Sequence, residues 1–559
     1  MSQQKPNIFL FMVDELRYPT VYDGPELRQW MKDNLLTQDL FQRTGVEFQR
    51  HYTASTACAP SRTSIFTGQY PSLHGVSQTD GIGKHAWDPG MFWLDPDTVP
   101  TLGDWMRAAG YETYYKGKWH VSLADIILPG SHDSLQSNEN DGSVKREETE
   151  KYLAGNRLSD YGFDGWIGPE PHGSLQANSG WERDPLFANE MIHLIDRLEA
   201  RKDDKPLLLV NSFVNPHDIV LYGALWKHWG LPMSDPSLDA FTIPPPPTQD
   251  EVLTSKPKCQ QSYVDTYPQM FLPQTPDETY RRFYYFLQKQ VDQHLMRVYE
   301  RFKQSRFFEN SIIIFTSDHG DMLGAHGGMH QKWYQAYEEA LHVPLIFSGP
   351  LVPSPDRTVD TITSHIDLIP TILGLAGVDV AAAQRRVAVT HTETHPLAGR
   401  DLSQLVMGTG TVPAGEPVYF MTSDDVSRGI EQFTGRRPWK SVQVPNQVET
   451  IVVEIDGTVW KYSRYYQDPS PLAEYINNQT MTDYIEARSD VPDQYEMYNL
   501  TDDPIETHNL ATEEHPMRDQ LNDLLRAQRT QKALVPEHKG AMRQQGEGAL
   551  VNAMVEATV

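Results

Sequence analysis

Two acidic clusters in this chain stand where a folded sheet could bring them together. Asp14-Glu15 directly follows the apolar run Ile8 to Val13, and Asp318-His319-Gly320-Asp321 directly follows Ile312 to Ser317. In open α/β sheets ligands gather at the carboxyl ends of the strands, so adjacent carboxylates there suit a hard cation. A single acidic pair at a strand end is more often a helix cap or a turn. The repetition on a second strand favours an ion, because crowded carboxylates repel one another unless a cation sits among them. His319 adds a nitrogen donor. His319, His326 and His330 form an alternative set, the last two spaced i, i+4 as in some zinc motifs. Gly324, Gly327 and Gly328 speak against a helix there and favour a glycine-rich loop carrying ordinary polar histidines.

A third group surrounds Cys58, in Cys58-Ala59-Pro60-Ser61-Arg62 continuing through Thr67-Gly68. An isolated cysteine is usually a small buried packing residue. Pro60, however, suits the first turn of a helix starting near Ser61, which places residue 58 at the positive end of that helix. Arg62, one turn in, can point back at the same spot instead of forming a surface salt bridge. A fourth group, Gly110-Tyr111-Glu112-Thr113 through Gly117-Lys118-Trp119-His120, puts Lys118 and His120 just beyond an aromatic strand. Asn215-Pro216-His217 closes the apolar run Leu207 to Val214, and Lys332 follows His330-Gln331 ahead of Tyr337-Glu338-Glu339.

Together these motifs resemble the sulfatase family of the alkaline phosphatase superfamily: C-x-P-S-R with T-G, G-Y-x-T with G-K-W-H, the P-H and lysine elements, and Tyr495 to Leu510 as a structural element. The resemblance spans residues 5 to 511. It implies that a maturation enzyme oxidises Cys58 to formylglycine, whose hydrated aldehyde attacks a sulfate monoester, an aryl sulfate being the expected substrate. It implies one divalent ion held by Asp14, Glu15, Asp318, His319 and residue 58, lowering the pKa of the diol and clamping a sulfate oxygen. It gives Arg62 a place against the nucleophile. Lys118 and Lys332 would neutralise growing charge. His120 would take the proton that lets sulfate leave, and His217 would serve the leaving oxygen. Two positions depart from the family's commonest pattern: Glu15 where a second Asp is usual, and His319 where Asn is frequent. An all-oxygen cage suits calcium, whereas an imidazole among carboxylates suits manganese. Phosphonate monoester and phosphodiester hydrolases of the same superfamily share the nucleophile and form the first rival; a non-catalytic metal- and anion-binding protein forms the second.

The elements that must position these residues follow from patterning. Ile8 to Val13, Leu207 to Val214, Ile312 to Thr316 and Val343 to Phe347 read as strands buried on both faces. Helices are expected from Leu102 to Ala109, capped by Thr101 and stopped by Gly110, from Asp184-Pro185 onward, and over Asp277 to Lys303. Alternating strands and helices imply an α/β fold with a large, mostly parallel sheet sandwiched by helices. After residue 410 the grammar changes, and Ile451 to Ile455, Asp456-Gly457 and Thr458 to Ser463 give a hairpin signal. A smaller α+β unit with an antiparallel sheet is therefore expected over 411–530, with a helix near 515–530, after a catalytic domain over 1–410 and before a tail over 531–559. The Pro-rich stretch 242–276 reads as an irregular insertion. It and the loops near 423–448 are the expected readers of the alcohol half of the substrate.

Composition narrows the partners. The 559 residues carry 48 basic and 75 acidic side chains, a formal charge of -27, which disfavours nucleic acid and anionic membrane. An anionic substrate therefore needs a local positive pocket. Cys58 and Cys259 are the only cysteines and read as free thiols. With no leader-like or membrane-spanning run, a soluble cytoplasmic enzyme is expected. Apolar positions in the last 30 residues suggest packing on another subunit, hence a homo-oligomer.

Overall fold

The computed structural model describes residues 5–537 except positions 89, 202, 272–273, 354, 414, 430–431, 433–437 and 468–490. Its strands are β1 (Asn7–Asp14), β2 (Val46–Phe48), β3 (His51–Tyr52), β4 (Glu112–Gly117), β5 (Leu207–Pro216), β6 (Ser311–Ser317), β7 (Leu345–Ser348), β8 (Arg357–Val359), β9 (Thr363–Ser364), β10 (Val418–Thr422), β11 (Gln447–Ile455), β12 (Thr458–Tyr466) and β13 (Gln494–Asn499). Seven of them form one sheet in the order β4-β5-β1-β6-β7-β2-β8. The four strands from β4 to β6 run parallel, and β7 runs antiparallel to both neighbours.

Every residue of β1 is buried because the strand is apolar on both faces. Ile8, Leu10 and Met12 pack into one core, and Phe9, Phe11 and Val13 into another on the opposite side. Ile312 and Ile314 divide from Ile313 and Phe315 in the same way. Each fully buried side chain of this size contributes about 1.5–3 kcal/mol. The helices Gly180–Glu199 and Glu278–Lys303 cover the phenylalanine face through Met191, Leu194, Val291, Leu295 and Val298. The helices Cys58–Thr67, Leu102–Ala108 and Leu368–Leu375 cover the other face.

The local signals act as the residue types require. Thr101 and Asp104 form a reciprocal capping box at the start of the helix Leu102–Ala108. Asp277 caps the longest helix by accepting from the Tyr280 amide. One boundary differs: the helix expected to open at Asp184-Pro185 begins at Gly180, with Pro185 inside it. Asp218 accepts from the Gly180 and Trp181 amides at its start, while Asp184 is spent on the Val214 and Asn215 amides, tying the helix to β5. The insertion is also more ordered than its prolines suggest, since it contains the helix Lys258–Met270. At 325–328 a single turn carries left-handed His326 and Gly327, so no regular helix pairs His326 with His330.

β10 to β13 form the antiparallel sheet of the C-terminal unit. Asp456 (φ 51) and Gly457 (φ 80) make the two-residue turn between β11 and β12 with both dihedrals positive, as the right-handed strand twist demands. The helix Arg518–Lys532 packs Leu521 and Leu525 onto one face of this sheet. On the opposite face Val448, Val452 and Tyr465 join Met329, Tyr337 and Leu341 of the larger unit. Among the described residues no single helix is long and apolar enough to cross a membrane. The positions from 538 onward, expected to pack on another subunit, lie outside the described residues.

Candidate functional site

Parallel register is what assembles the site. Val13 lies opposite Ser317 and Asp14 opposite Pro216, so Asp14, Asp318 and His217 all emerge at one edge of the sheet. Gly117 lies opposite Ser212 and carries Lys118 and His120 to the same edge. Any side chain at 117 would meet the Ser212 carbonyl at 1.8 Å, so only glycine lets β4 close on β5 there.

Cys58 is the first residue of its helix and is buried. Its Sγ lies 3.2 Å from His319 Nε2 and 3.6 Å from Asp14 Oδ1. Burial, with Asp14 second, pushes its thiol up to about 12, so the sulfur is not a thiolate at neutral pH. Arg62 is fully buried beneath this group. Its Nε donates to Asp318 Oδ2 (2.9 Å), its Nη2 to Asp14 Oδ2 (3.2 Å), and its Nη1 to the Lys118 carbonyl (2.7 Å) and Ser212 Oγ (2.9 Å). Lys118 Nζ stands 2.6 Å from Asp14 Oδ2.

Donor atoms of Asp14, Cys58, Asp318 and His319 all lie within 4.8 Å of one another, a span that one ion with ligand bonds of about 2.0–2.6 Å bridges. His319 Nδ1 lies 3.0 Å from the Gly320 carbonyl, so the proton belongs there and Nε2 turns its lone pair to the cluster. Asp318 Oδ1 accepts from the Glu15 and His319 amides, which fixes its rotamer. These donors fit a divalent ion. Glu15 takes a different direction: its Oε2 lies 3.0 Å from Lys332 Nζ, and it groups with Asp14 and His217 rather than with Cys58, Asp318 and His319. Glu15 is left-handed at φ 68, a strained conformation stabilised by its bonded amide.

Three carboxylates (Asp14, Glu15, Asp318) are thus paired with three fixed cations (Arg62, Lys118, Lys332). A divalent ion would add to these three cations and supply the local positive charge that an anionic substrate needs in a chain of charge -27. His217 is half-buried, and burial, with Lys118 next, holds its ring well below the usual histidine range.

The structure brings together Asp14, Cys58, Arg62, Lys118, Asp318 and His319 in direct contact, with Glu15, Lys332 and His217 beside them. His326 and His330 stand apart: His326 pairs with Glu251, and His330 stacks on Tyr267. Sequence patterning missed Asp80 and Glu170. Asp80 Oδ1 lies 2.6 Å from His120 Nε2, and Glu170 accepts from the Trp119 and His120 amides. Both sit in irregular loops with no periodic signal. The loop after β10 also reaches the site: Asp424 accepts from Trp333 Nε1 and the Thr79 amide, beside Lys332 and Asp80.

A mostly parallel sheet with clustered carboxylates, a buried arginine and a cysteine at a helix start along one carboxyl edge is an arrangement consistent with the sulfatase class. The Sulfatase family model matches residues 6–378, and the chain belongs to the sulfatase family. It is similar to the choline-sulfatase of Rhizobium meliloti strain 1021, 27% identical over 389 residues covering 68% of this chain and 69% of the relative. It is also similar to the uncharacterised sulfatase YidJ of Escherichia coli K12, 28% identical over 464 residues covering 81% and 84%. Among solved structures, the phosphonate monoester hydrolase of Silicibacter pomeroyi shares the fold at TM-score 0.60 and 18% identity, covering 95% of this chain and 96% of that one.

Proposed function

We propose that the chain hydrolyses sulfate monoesters, with aryl sulfates among its substrates, through an oxygen nucleophile created from Cys58 beside a divalent ion. The observation that carries this is the position of Cys58 Sγ, within 3.2 Å of His319 Nε2 and 3.6 Å of Asp14 Oδ1 while burial keeps it a neutral thiol. Sγ stands in for the oxygens of the hydrated aldehyde. Conversion of the cysteine to formylglycine supplies that diol. Asp14, Asp318, His319 and residue 58, with Glu15 alongside, would hold the ion, which would supply Lewis acidity toward the diol and the ester; the mixed donor set suits manganese as well as calcium.

The remaining work falls to fixed side chains. Arg62 holds Asp14 and Asp318 in place and keeps their charge compensated. Lys118 and Lys332 face growing negative charge on the transferred group. His217, neutral and half-buried, stabilises the departing oxygen, and neutral His120 accepts a proton. The test compares kcat/KM for aryl sulfate, choline sulfate, a phosphonate monoester and a phosphodiester. Highest efficiency on a sulfate ester is expected. A phosphonate or phosphodiester processed faster than both sulfates would reassign the chemistry.

A further inference from the structure

Asp80 lies outside every motif described above, yet its carboxylate is shared by two imidazoles. Oδ1 lies 2.6 Å from His120 Nε2, and Oδ2 lies 3.5 Å from His172 Nδ1. Asp80 and His120 are both buried, while the His172 side chain is 24% exposed at the rim. A carboxylate oxygen so close to Nε2 accepts a hydrogen bond from Nε2–H, which leaves the lone pair on Nδ1. That Nδ1 is buried and has no hydrogen-bond partner. A buried nitrogen left without a partner is what a base used only during turnover would explain.

The surroundings agree on which group is the anion. Glu170 accepts from the His120 amide, and burial together with Asp125 pushes it up to about 8. His172 and His120 hold Asp80 below the usual carboxylate range in spite of its burial. Lys118 opposes protonation of the His120 ring, and Trp93 packs 5.7 Å from it without charge. Asp80 is therefore the anion that faces the ring.

We propose that Asp80 is a positioning residue for His120, resting on the sulfate ester hydrolase reading: it fixes the Nε2–H tautomer, aims Nδ1 as the base, and counters the imidazolium charge. His172 stands 3.5 Å from the second oxygen and flanks the carboxylate on that side. In the cycle a proton enters at Nδ1 while the Nε2–H bond to Asp80 is kept, and release of that proton from Nδ1 to water resets the base. The arrangement is that of a carboxylate-oriented histidine, here assembled from a loop at residue 80 and the end of β4.

Two readouts test it. In stopped flow with a chromogenic aryl sulfate, Asp80→Asn is expected to keep the first release of alcohol while steady-state turnover falls on the order of 10²–10⁴-fold. Combined with His120→Ala it should be no slower than His120→Ala alone. The second readout does not need turnover: in [13C]histidine-labelled wild-type enzyme the His120 ring should show the Nε2–H tautomer at neutral pH, and Asp80→Asn should shift that tautomer equilibrium toward Nδ1–H. Failure of the wild type to release alcohol from any sulfate ester would sink the hydrolase reading while the NMR arm still decides on Asp80. An Nδ1–H tautomer in the wild type, a tautomer equilibrium unmoved by Asp80→Asn, or losses from the two substitutions that multiply would overturn the proposal.

Discussion

Arg62→Lys keeps the charge under the nucleophile and removes the fork, which isolates what the guanidinium geometry contributes. Arg62 makes four contacts from a fully buried position: two charge-assisted bonds, to Asp14 and Asp318, and one each to the Lys118 carbonyl and Ser212 Oγ. A lysine nitrogen is a single point and reaches two of these acceptors at most. Two buried acceptors are then abandoned, each costing about 1–3 kcal/mol, for a total of about 2–6 kcal/mol. This agrees with the roughly 3–5 kcal/mol lost when a buried ion pair is broken. Urea unfolding of wild type and variant at one buffered metal concentration, followed by tryptophan fluorescence, measures the difference. A loss below about 1 kcal/mol, the value of an exposed ion pair, would refute the claim that Arg62 holds the two acid-bearing strand ends together.

Other outcomes follow from the same geometry. His120→Ala should release one equivalent of alcohol per enzyme and then slow on the order of 10²–10⁴-fold; full multiple turnover in that variant would remove His120 from the chemistry. Because burial holds His120 down to about 4, it is neutral at pH 7, so the step that depends on it should be flat from neutral to mildly acid pH. It should then fall about tenfold per unit below the folded pKa, whereas loss centred near 6.5 would mark a solvated histidine. Added divalent metal should stabilise the wild type by about 2.7 kcal/mol at a hundredfold excess over its Kd, seen as a rise in the unfolding midpoint. Asp14→Asn with Asp318→Asn should abolish that rise, and an undiminished rise would place the ion elsewhere.

How far the sequence reaches depends on the physics of each element. The four central runs are apolar at most positions and short, a pattern that a strand buried on both faces accommodates, and β1, β5 and β6 lie where three of those runs are. Asp456-Gly457 announces its hairpin because few dipeptides accept two positive φ values. The convergence of Asp14 and Asp318 follows from their places directly after such strands, since parallel register brings the two strand ends together. Asp80, Glu170 and Asp424 lie in irregular segments, and their proximity to His120 and Trp333 depends on tertiary packing that leaves no local pattern. The helix start at Gly180 was obscured because Asp184, an acceptable cap by type, serves the β5 backbone instead. Glu15 shows the limit of reading by adjacency: it neighbours a donor in sequence, but its side chain turns to Lys332.

Mass spectrometry of the peptide containing residue 58, taken from a preparation whose sulfatase activity has been measured, tests the assignment most directly. An aldehyde at position 58, in a fraction that tracks specific activity, is the expected result. A fully active preparation carrying only the unmodified Cys58 thiol would contradict it.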